Sequence, residues 1–191
     1  MKVGLYFGSF NPIHIGHLII ANTIVEATKL TEVWFVVSPQ NPFKPRKSLL
    51  HEFDRLDLVR LAIGDNYHLR ASDIEFSLPK PSYTVDTLAH LYDKYPQHQF
   101  SLIMGEDNLV HFHKWKNSGQ ILEHHDLIVY PRPGIGEVGE MKNHPRVQYV
   151  KAPLLEISAT YIRDQIKNGH SVQYLLPDAV VDRIRGSKFY H

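Results

Sequence analysis

The chain has 191 residues, with 21 Lys and Arg against 20 Asp and Glu, a formal charge of +1, and no cysteine. That length fits one domain of ordinary size with a substantial core, and the charge balance supplies no global basic field for nucleic acid, so any anion site must be built locally. Disulfides, thiolate metal sites and a cysteine nucleophile are excluded, no apolar run approaches the ~18 residues that span a bilayer, and the sequence reads as a soluble cytoplasmic protein without a membrane partner.

Residues 3–7 and 32–37 are short β-branched and aromatic runs that predict strands, and between them Leu18, Ala21, Ile24, Val25 and Thr28 carry helical spacing over residues 17–30. This is a strand–helix–strand unit with a right-handed crossover. Its first connection is Gly8-Ser9-Phe10-Asn11-Pro12-Ile13-His14-Ile15-Gly16-His17. Glycine permits turns and close backbone approach, and a helix start leaves N–H groups unpaired beside the positive end of the macrodipole, so the stretch is suited to a phosphate. Two imidazoles three residues apart at the helix start, His14 and His17, lie on one face and can donate to the same anion.

Residues 38–48 form a basic loop at a strand end, interrupted by Pro39, Pro42 and Pro45 and carrying Lys44, Arg46 and Lys47, which serve either as phosphate contacts or as a solvated face. Phe53, Leu56, Val59 and Ile63 mark the next helix, and residues 68–77 read as extended. The stiff run Pro79-Lys80-Pro81-Ser82-Tyr83-Thr84 leads into a helix with Val85, Leu88, Leu91, Tyr92 and Tyr95, for which Thr84 is the expected N-cap. Residues 99–104 predict a buried strand ending in Gly105-Glu106-Asp107-Asn108, and residues 109–115 read as helical. Asp107 can cap that helix, hold sugar hydroxyls or hold a metal-bound water, and Trp115 can belong to the core or stack on a base.

Residues 126–130 predict a strand stopped by Pro131-Arg132-Pro133-Gly134, residues 135–146 a surface loop, and residues 147–150 a last short strand. Ile157-Ser158-Ala159-Thr160-Tyr161-Ile162-Arg163 opens a helix with Ser158 as N-cap, and Pro177 stands as the first residue of a final helix with Val180, Val181 and Ile184 behind it. Strands alternating with helices imply a mostly parallel sheet covered on both faces, with ligands beyond the carboxyl ends of the strands. His111, His113, His124 and His125 lack the carboxylate or cysteine partners of a familiar metal site, so no protein-held metal is expected. His14, His17, Lys44 and Arg163 can together bind a polyphosphate, and with no nucleophile or paired carboxylates around them the chemistry they suit is phosphoryl or nucleotidyl transfer by positioning and electrostatics.

Residues 8–17 together with 157–163 resemble the paired signatures of the nucleotidyltransferase superfamily that contains the adenylyltransferases. Ser82-Tyr83-Thr84-Val85-Asp86-Thr87-Leu88, Gly105-Glu106-Asp107 and Trp115 narrow the resemblance, over nearly the whole chain, to the bacterial nicotinate mononucleotide adenylyltransferases. The resemblance implies an α/β, Rossmann-like, doubly wound nucleotidyltransferase domain over residues 1–191, with a small helical part from about residue 158. It implies transfer of the adenylyl group of ATP to nicotinate mononucleotide, giving deamido-NAD and pyrophosphate by in-line attack, with Mg2+ brought by ATP.

Carried over residue by residue, His14, His17, Lys44 and Arg163 would be catalytic. Gly8, Ser9, Phe10, Gly16, Ile157, Ser158 and Thr160 would join them, Lys44 apart, in binding ATP. Ser9, Thr84, Gly105, Asp107, Trp115 and Arg132 would bind the mononucleotide, with Trp115 stacked on the pyridine and amides near Thr84 holding its carboxylate. The chain departs from the family pattern at Phe7, where a first glycine is frequent, at Asn11, where aspartate is usual, and at Ala159, where serine is common. Two competing readings stand beside it: a phosphopantetheine adenylyltransferase, which shares the first signature, and a nucleotide-binding regulatory module without turnover. A homo-oligomer is compatible with either.

Overall fold

Apolar side chains alternate toward both faces of the strands, so the sheet has to be buried on both sides. In β2 (Glu32–Val37), Val33, Phe35 and Val37 enter one core while Trp34 and Val36 enter the other. β4 (Gln99–Gly105) and β5 (Leu127–Tyr130) divide in the same way, with Ile103, Ile128 and Tyr130 on the first side and Leu102, Met104, Leu127 and Val129 on the second. The computed structural model describes residues 1–40, 49–135 and 138–191. It places β3 (Leu69–Ser72), β2, β1 (Lys2–Gly8), β4, β5 and β6 (Val147–Tyr149) in that order in one sheet, with every pairing parallel.

The helices in chain order are α1 (Ile15–Ala27), α2 (Glu52–Ile63), α3 (Thr84–Lys94), α4 (Glu106–Val110), α5 (Ser118–His124), α6 (Ala159–Lys167) and α7 (Asp178–Arg185). Through Ile24, Leu56, Ile162 and Val180 among others, α1, α2, α6 and α7 cover the first face; Leu91, Leu109 and Ile121 bring α3, α4 and α5 onto the second. The chain winds outward from β1 to β3, and α3 then returns it to β4 on the other side of β1. Strand order reverses between β1 and β4, which opens a crevice beyond Gly8 and Gly105, the last residues of those strands.

The expected α/β sandwich is therefore present, and its sheet is entirely parallel. Local differences have physical causes. The first helix spans Ile15–Ala27 instead of 17–30, because His14 is already extended (φ −145°) and serves as N-cap. The segment expected to extend over 68–77 forms strand only to Ser72, then turns through a 3-10 segment, Ile74–Ser77, that buries Ile74 and Glu75. Tyr83, not Thr84, is the N-cap of α3, so Thr84 is its first helical residue. The helix expected over 109–115 is α4 followed by the 3-10 turn Phe112–Lys114. Pro177 is the N-cap of α7 and not its first helical residue, and a 3-10 turn, Gly139–Asn143, stands in the expected surface loop. α5, with Ile121 as its one buried residue, has no counterpart in the sequence reading.

One buried side chain ties the connections after β1 and β2 together. Arg55, on α2, is 0 % exposed. Its Nε donates to the Leu50 carbonyl at 2.9 Å, Nη1 to the carbonyls of Ser9 and Ser38, and Nη2 to that of Pro39 at 3.2 Å. Removing a donor from a buried carbonyl costs about 1–3 kcal/mol. Arg55→Leu leaves all four acceptors without it, and the expected loss is at least about 3 kcal/mol of unfolding free energy in urea titration; a loss below about 1 kcal/mol would show that water replaces the guanidinium.

Candidate active site

The turn after β1 is shaped by a phenylalanine folded back on a glycine. Phe10 adopts a left-handed backbone (φ 43°), and its ring lies where a Cβ on Gly8 would stand 2.7 Å from the ring edge. Buried at 2 % exposure, that ring meets Tyr6, Phe35 and His17 edge-on, with the His17 centroid at 5.2 Å. Burial of a large aromatic side chain offsets the roughly 1–2 kcal/mol of left-handed strain.

The two histidines stack, with ring centroids 3.7 Å apart and planes inclined at 26°. Gly16 makes this possible, since a Cβ there would approach the Nδ1 of His14 to 3.1 Å. The backbone N–H of His14 donates to His17 Nδ1 at 3.2 Å, which puts the proton of a neutral His17 on Nε2, where it can be given to an anion. The amides of Ile15 and His17 are already spent on the carbonyls of Leu175 and His14. The helix start therefore offers fewer free N–H groups than its sequence implies, and the imidazoles carry more of any anion contact. His14 is buried, its Nδ1 has no hydrogen-bond partner among the described residues, and burial, reinforced by the Arg132 charge, lowers its pKa to about 4. It is neutral at pH 7.

α6 approaches the same turn from the far end of the chain. Ser158 caps it, its Oγ accepting from the Tyr161 N–H at 3.2 Å, and retains its own proton to donate. Arg163 donates to the Asn11 carbonyl at 2.8 Å and to Thr160 Oγ1 at 3.2 Å, so it locks α6 against the turn. Asn11 is itself buried, and its Oδ1 accepts from the Leu50 N–H and the Tyr190 hydroxyl.

The opposite wall comes from β4, β5 and α3. Gly105 is the N-cap of α4, which leaves Asp107 in the first turn facing Arg132, with Oδ1 and Nε 3.6 Å apart, instead of capping. Arg132 also lies over the ring of Tyr130 at 5.5 Å. Beneath them the buried hydroxyls of Tyr6 and Tyr130 are 3.1 Å apart, and burial raises both phenols above their usual pKa. Trp115, half-buried, packs against Phe112 and presents the rest of its ring to the cleft. Across from it, the start of α3 rests on Glu75, a carboxylate 2 % exposed that accepts hydrogen bonds from Ser82 and Thr87. Burial pushes Glu75 up in pKa, and the hydroxyls of Thr87, Ser82 and Ser38 oppose that.

Gly8, Ser9, Phe10, His14, Gly16, His17, Thr84, Gly105, Asp107, Trp115, Arg132, Ile157, Ser158, Thr160 and Arg163 all line this one cleft, of about 1180 Å3. Lys44, with Arg46 and Lys47, lies outside the described residues. The sequence reading missed Tyr6, Tyr130, Glu75 and Lys116, which share the lining, and Arg55, which holds its turn; it placed Ser82 and Asn11 in the signature motifs without a binding role. His125 is a satisfied core histidine, its Nδ1 2.9 Å from the Phe100 carbonyl. Among the described residues no group of three or more His, Cys, Asp or Glu is placed to hold a metal ion, and no helix is long and apolar enough to cross a membrane.

The family model described as cytidylyltransferase-like matches residues 5–165. A protein of Cytophaga hutchinsonii named "Probable nicotinate-nucleotide adenylyltransferase" is 62 % identical over 190 residues, covering 100 % of this chain and 98 % of its own. One of the same name from Flavobacterium psychrophilum is 54 % identical, covering 100 % and 99 %. The fold is also that of the solved Plasmodium falciparum nicotinic acid mononucleotide adenylyltransferase complexed with NaAD, with a TM-score of 0.83 at 19 % identity over 99 % of this chain and 97 % of that one.

The buried neutral state of His14 makes stability depend on acidity. With its pKa at about 4 when folded and near 6.5 when unfolded, the unfolded chain binds more protons between those values, so stability falls as pH drops through that window. Burial lowers His125 as well, in the same direction. Chemical denaturation from pH 7 to pH 4 should show this decline, and His14→Gln should flatten it while leaving the His125 part.

Proposed function

Because the chain belongs to the cytidylyltransferase-like family, among its nicotinate-nucleotide adenylyltransferases, we propose that the cleft joins ATP and nicotinate mononucleotide to give nicotinate adenine dinucleotide and pyrophosphate in NAD biosynthesis. The observation that carries the assignment of roles is that two capped helix starts, α1 with its stacked imidazoles and α6 with Ser158, meet at one end of a cleft whose other end holds Trp115 and the start of α3. One end suits a polyphosphate, the other an aromatic acid.

In this reading His14, His17 and Ser158 hold the triphosphate, and Arg163 both positions the turn and adds charge. The Nε2 proton of His17 is preorganised by the His14 amide to meet charge that builds on the α-phosphoryl oxygens as the mononucleotide phosphate attacks. His14 enters neutral and gains basicity as phosphate charge replaces the influence of Arg132, so its proton affinity rises when the anion arrives. Asp107 and Arg132, held together, face the ribose and phosphate of the mononucleotide, Trp115 stacks on the pyridine ring, and the first-turn amides of α3 donate to its carboxylate. Mg2+ enters as part of the ATP substrate and neutralises phosphate charge. Lys44 keeps its role as an expected phosphate contact.

Incubation with ATP, Mg2+ and either pyridine mononucleotide tests this directly. A dinucleotide product is expected, with kcat/KM favouring nicotinate over nicotinamide, because only the acid form supplies an anion to the start of α3; absence of product with both would defeat the assignment, and equal efficiency would defeat the α3 role. His17→Ala is expected to lower kcat on the order of a hundredfold, the usual cost of one preorganised donor, with near-normal turnover counting against it.

A further inference from the structure

Among the described residues, Glu75 is the one buried carboxylate of the cleft lining, and the catalytic reading has no use for it. Among the described residues it has no ion-pair partner; its Oε2 accepts from Ser82 Oγ at 2.9 Å and its Oε1 from Thr87 Oγ1 at 2.7 Å. Those two hydroxyls bracket the N-cap Tyr83 and the first helical residue Thr84. The Ser38 hydroxyl also acts on it, and a buried acceptor of this kind costs desolvation free energy and persists where it specifies one conformation.

The same turn is gripped from the solvent side. Lys116 forms an ion pair with Asp86, in the first turn of α3, at 2.9 Å and stands over the ring of Tyr83 at 4.8 Å. Because Lys116 follows Trp115 directly in the chain, the stacking platform and the helix start are tied to one another. The exposed pair is worth little energy alone, so the buried prong has to supply most of the ordering.

We propose that Glu75 is a positioning residue for the acid group of the pyridine substrate, holding the Ser82–Thr87 turn so that the first amides of α3 point into the cleft. This rests on the functional reading above. Both hydroxyl protons are directed at Glu75, so neither Ser82 nor Thr87 can donate to the substrate, and the recognition of its carboxylate falls to backbone N–H groups whose direction depends on the turn. Glu75 itself does not touch the substrate. Its effect is preorganisation, and loosening the turn costs affinity for one substrate and not for the other.

The test is steady-state kinetics on Glu75→Gln, Thr87→Val and Thr87→Ser, each checked for folding by circular dichroism. Loss of about one charge-assisted contact corresponds to about tenfold. Glu75→Gln and Thr87→Val should therefore raise KM for nicotinate mononucleotide about tenfold, leave KM for ATP within about twofold, and narrow the preference over nicotinamide mononucleotide, whereas Thr87→Ser, which keeps the hydroxyl, should behave as the unsubstituted protein does. Unchanged KM for nicotinate mononucleotide in both, or equal rises for the two substrates, would overturn the role. If Glu75→Gln fails to fold, the Thr87 pair decides by the same criteria. Lack of any activity of the unsubstituted protein on nicotinate mononucleotide would instead defeat the functional reading on which the role depends.

Discussion

The geometry of the cleft depends first on the guanidinium of Arg55 and the four carbonyl oxygens it holds. Those carbonyls belong to two connections: Ser9 follows β1, and Ser38, Pro39 and Leu50 lie between β2 and α2. A parallel sheet leaves each strand end with carbonyls that the next strand does not satisfy, and a buried planar cation with five donors can collect several at once. No carboxylate partner is required, because oriented carbonyl dipoles supply the negative potential. Once Ser9 is held, the left-handed Phe10, the buried Asn11 and the His14 cap follow, each resting on the one before.

Around that turn the protein makes an anion site that draws on few full charges. His14 is neutral, Arg163 is partly occupied in holding the Asn11 carbonyl, and the two capped helix starts contribute dipoles and donors instead of full charges. Such a site agrees with a whole-chain charge of only +1. It also explains how asparagine is accommodated at position 11. Asn11 is buried and acts through an acceptor oxygen and a backbone carbonyl, neither of which needs a negative charge.

The two ends of the cleft were unequally legible in the sequence. The turn at 8–17 and the helix start at 158 announce themselves through glycine, paired histidines and a capping serine, signals that act within a few residues, and both are where the spacing puts them. The start of α3 was legible as an anion site but not in detail: the N-cap falls on Tyr83, because the amides of Asp86 and Thr87 both donate to the Tyr83 carbonyl. α5 escaped notice since a seven-residue helix with one buried side chain has no readable period. Glu75, Arg55 and the Tyr6–Tyr130 pair escaped for a different reason. Each is a polar residue in an otherwise ordinary strand, turn or helix, and its partners lie elsewhere in the chain, 124 residues away for the two tyrosines.

Sequence by itself determined the alternation of strands and helices, the two apolar faces of the sheet and the chemistry of the phosphate turn. All of these rest on local periodicity and backbone preference, which operate over one or two turns of chain. Tertiary structure alone decided which tautomer His17 holds, that His14 is buried and uncharged, that Asp107 faces Arg132 instead of capping α4, and that a buried glutamate underlies the start of α3. Those properties come from desolvation and from hydrogen bonds between segments distant in the chain. They exist only once packing has removed water and brought the partners within reach.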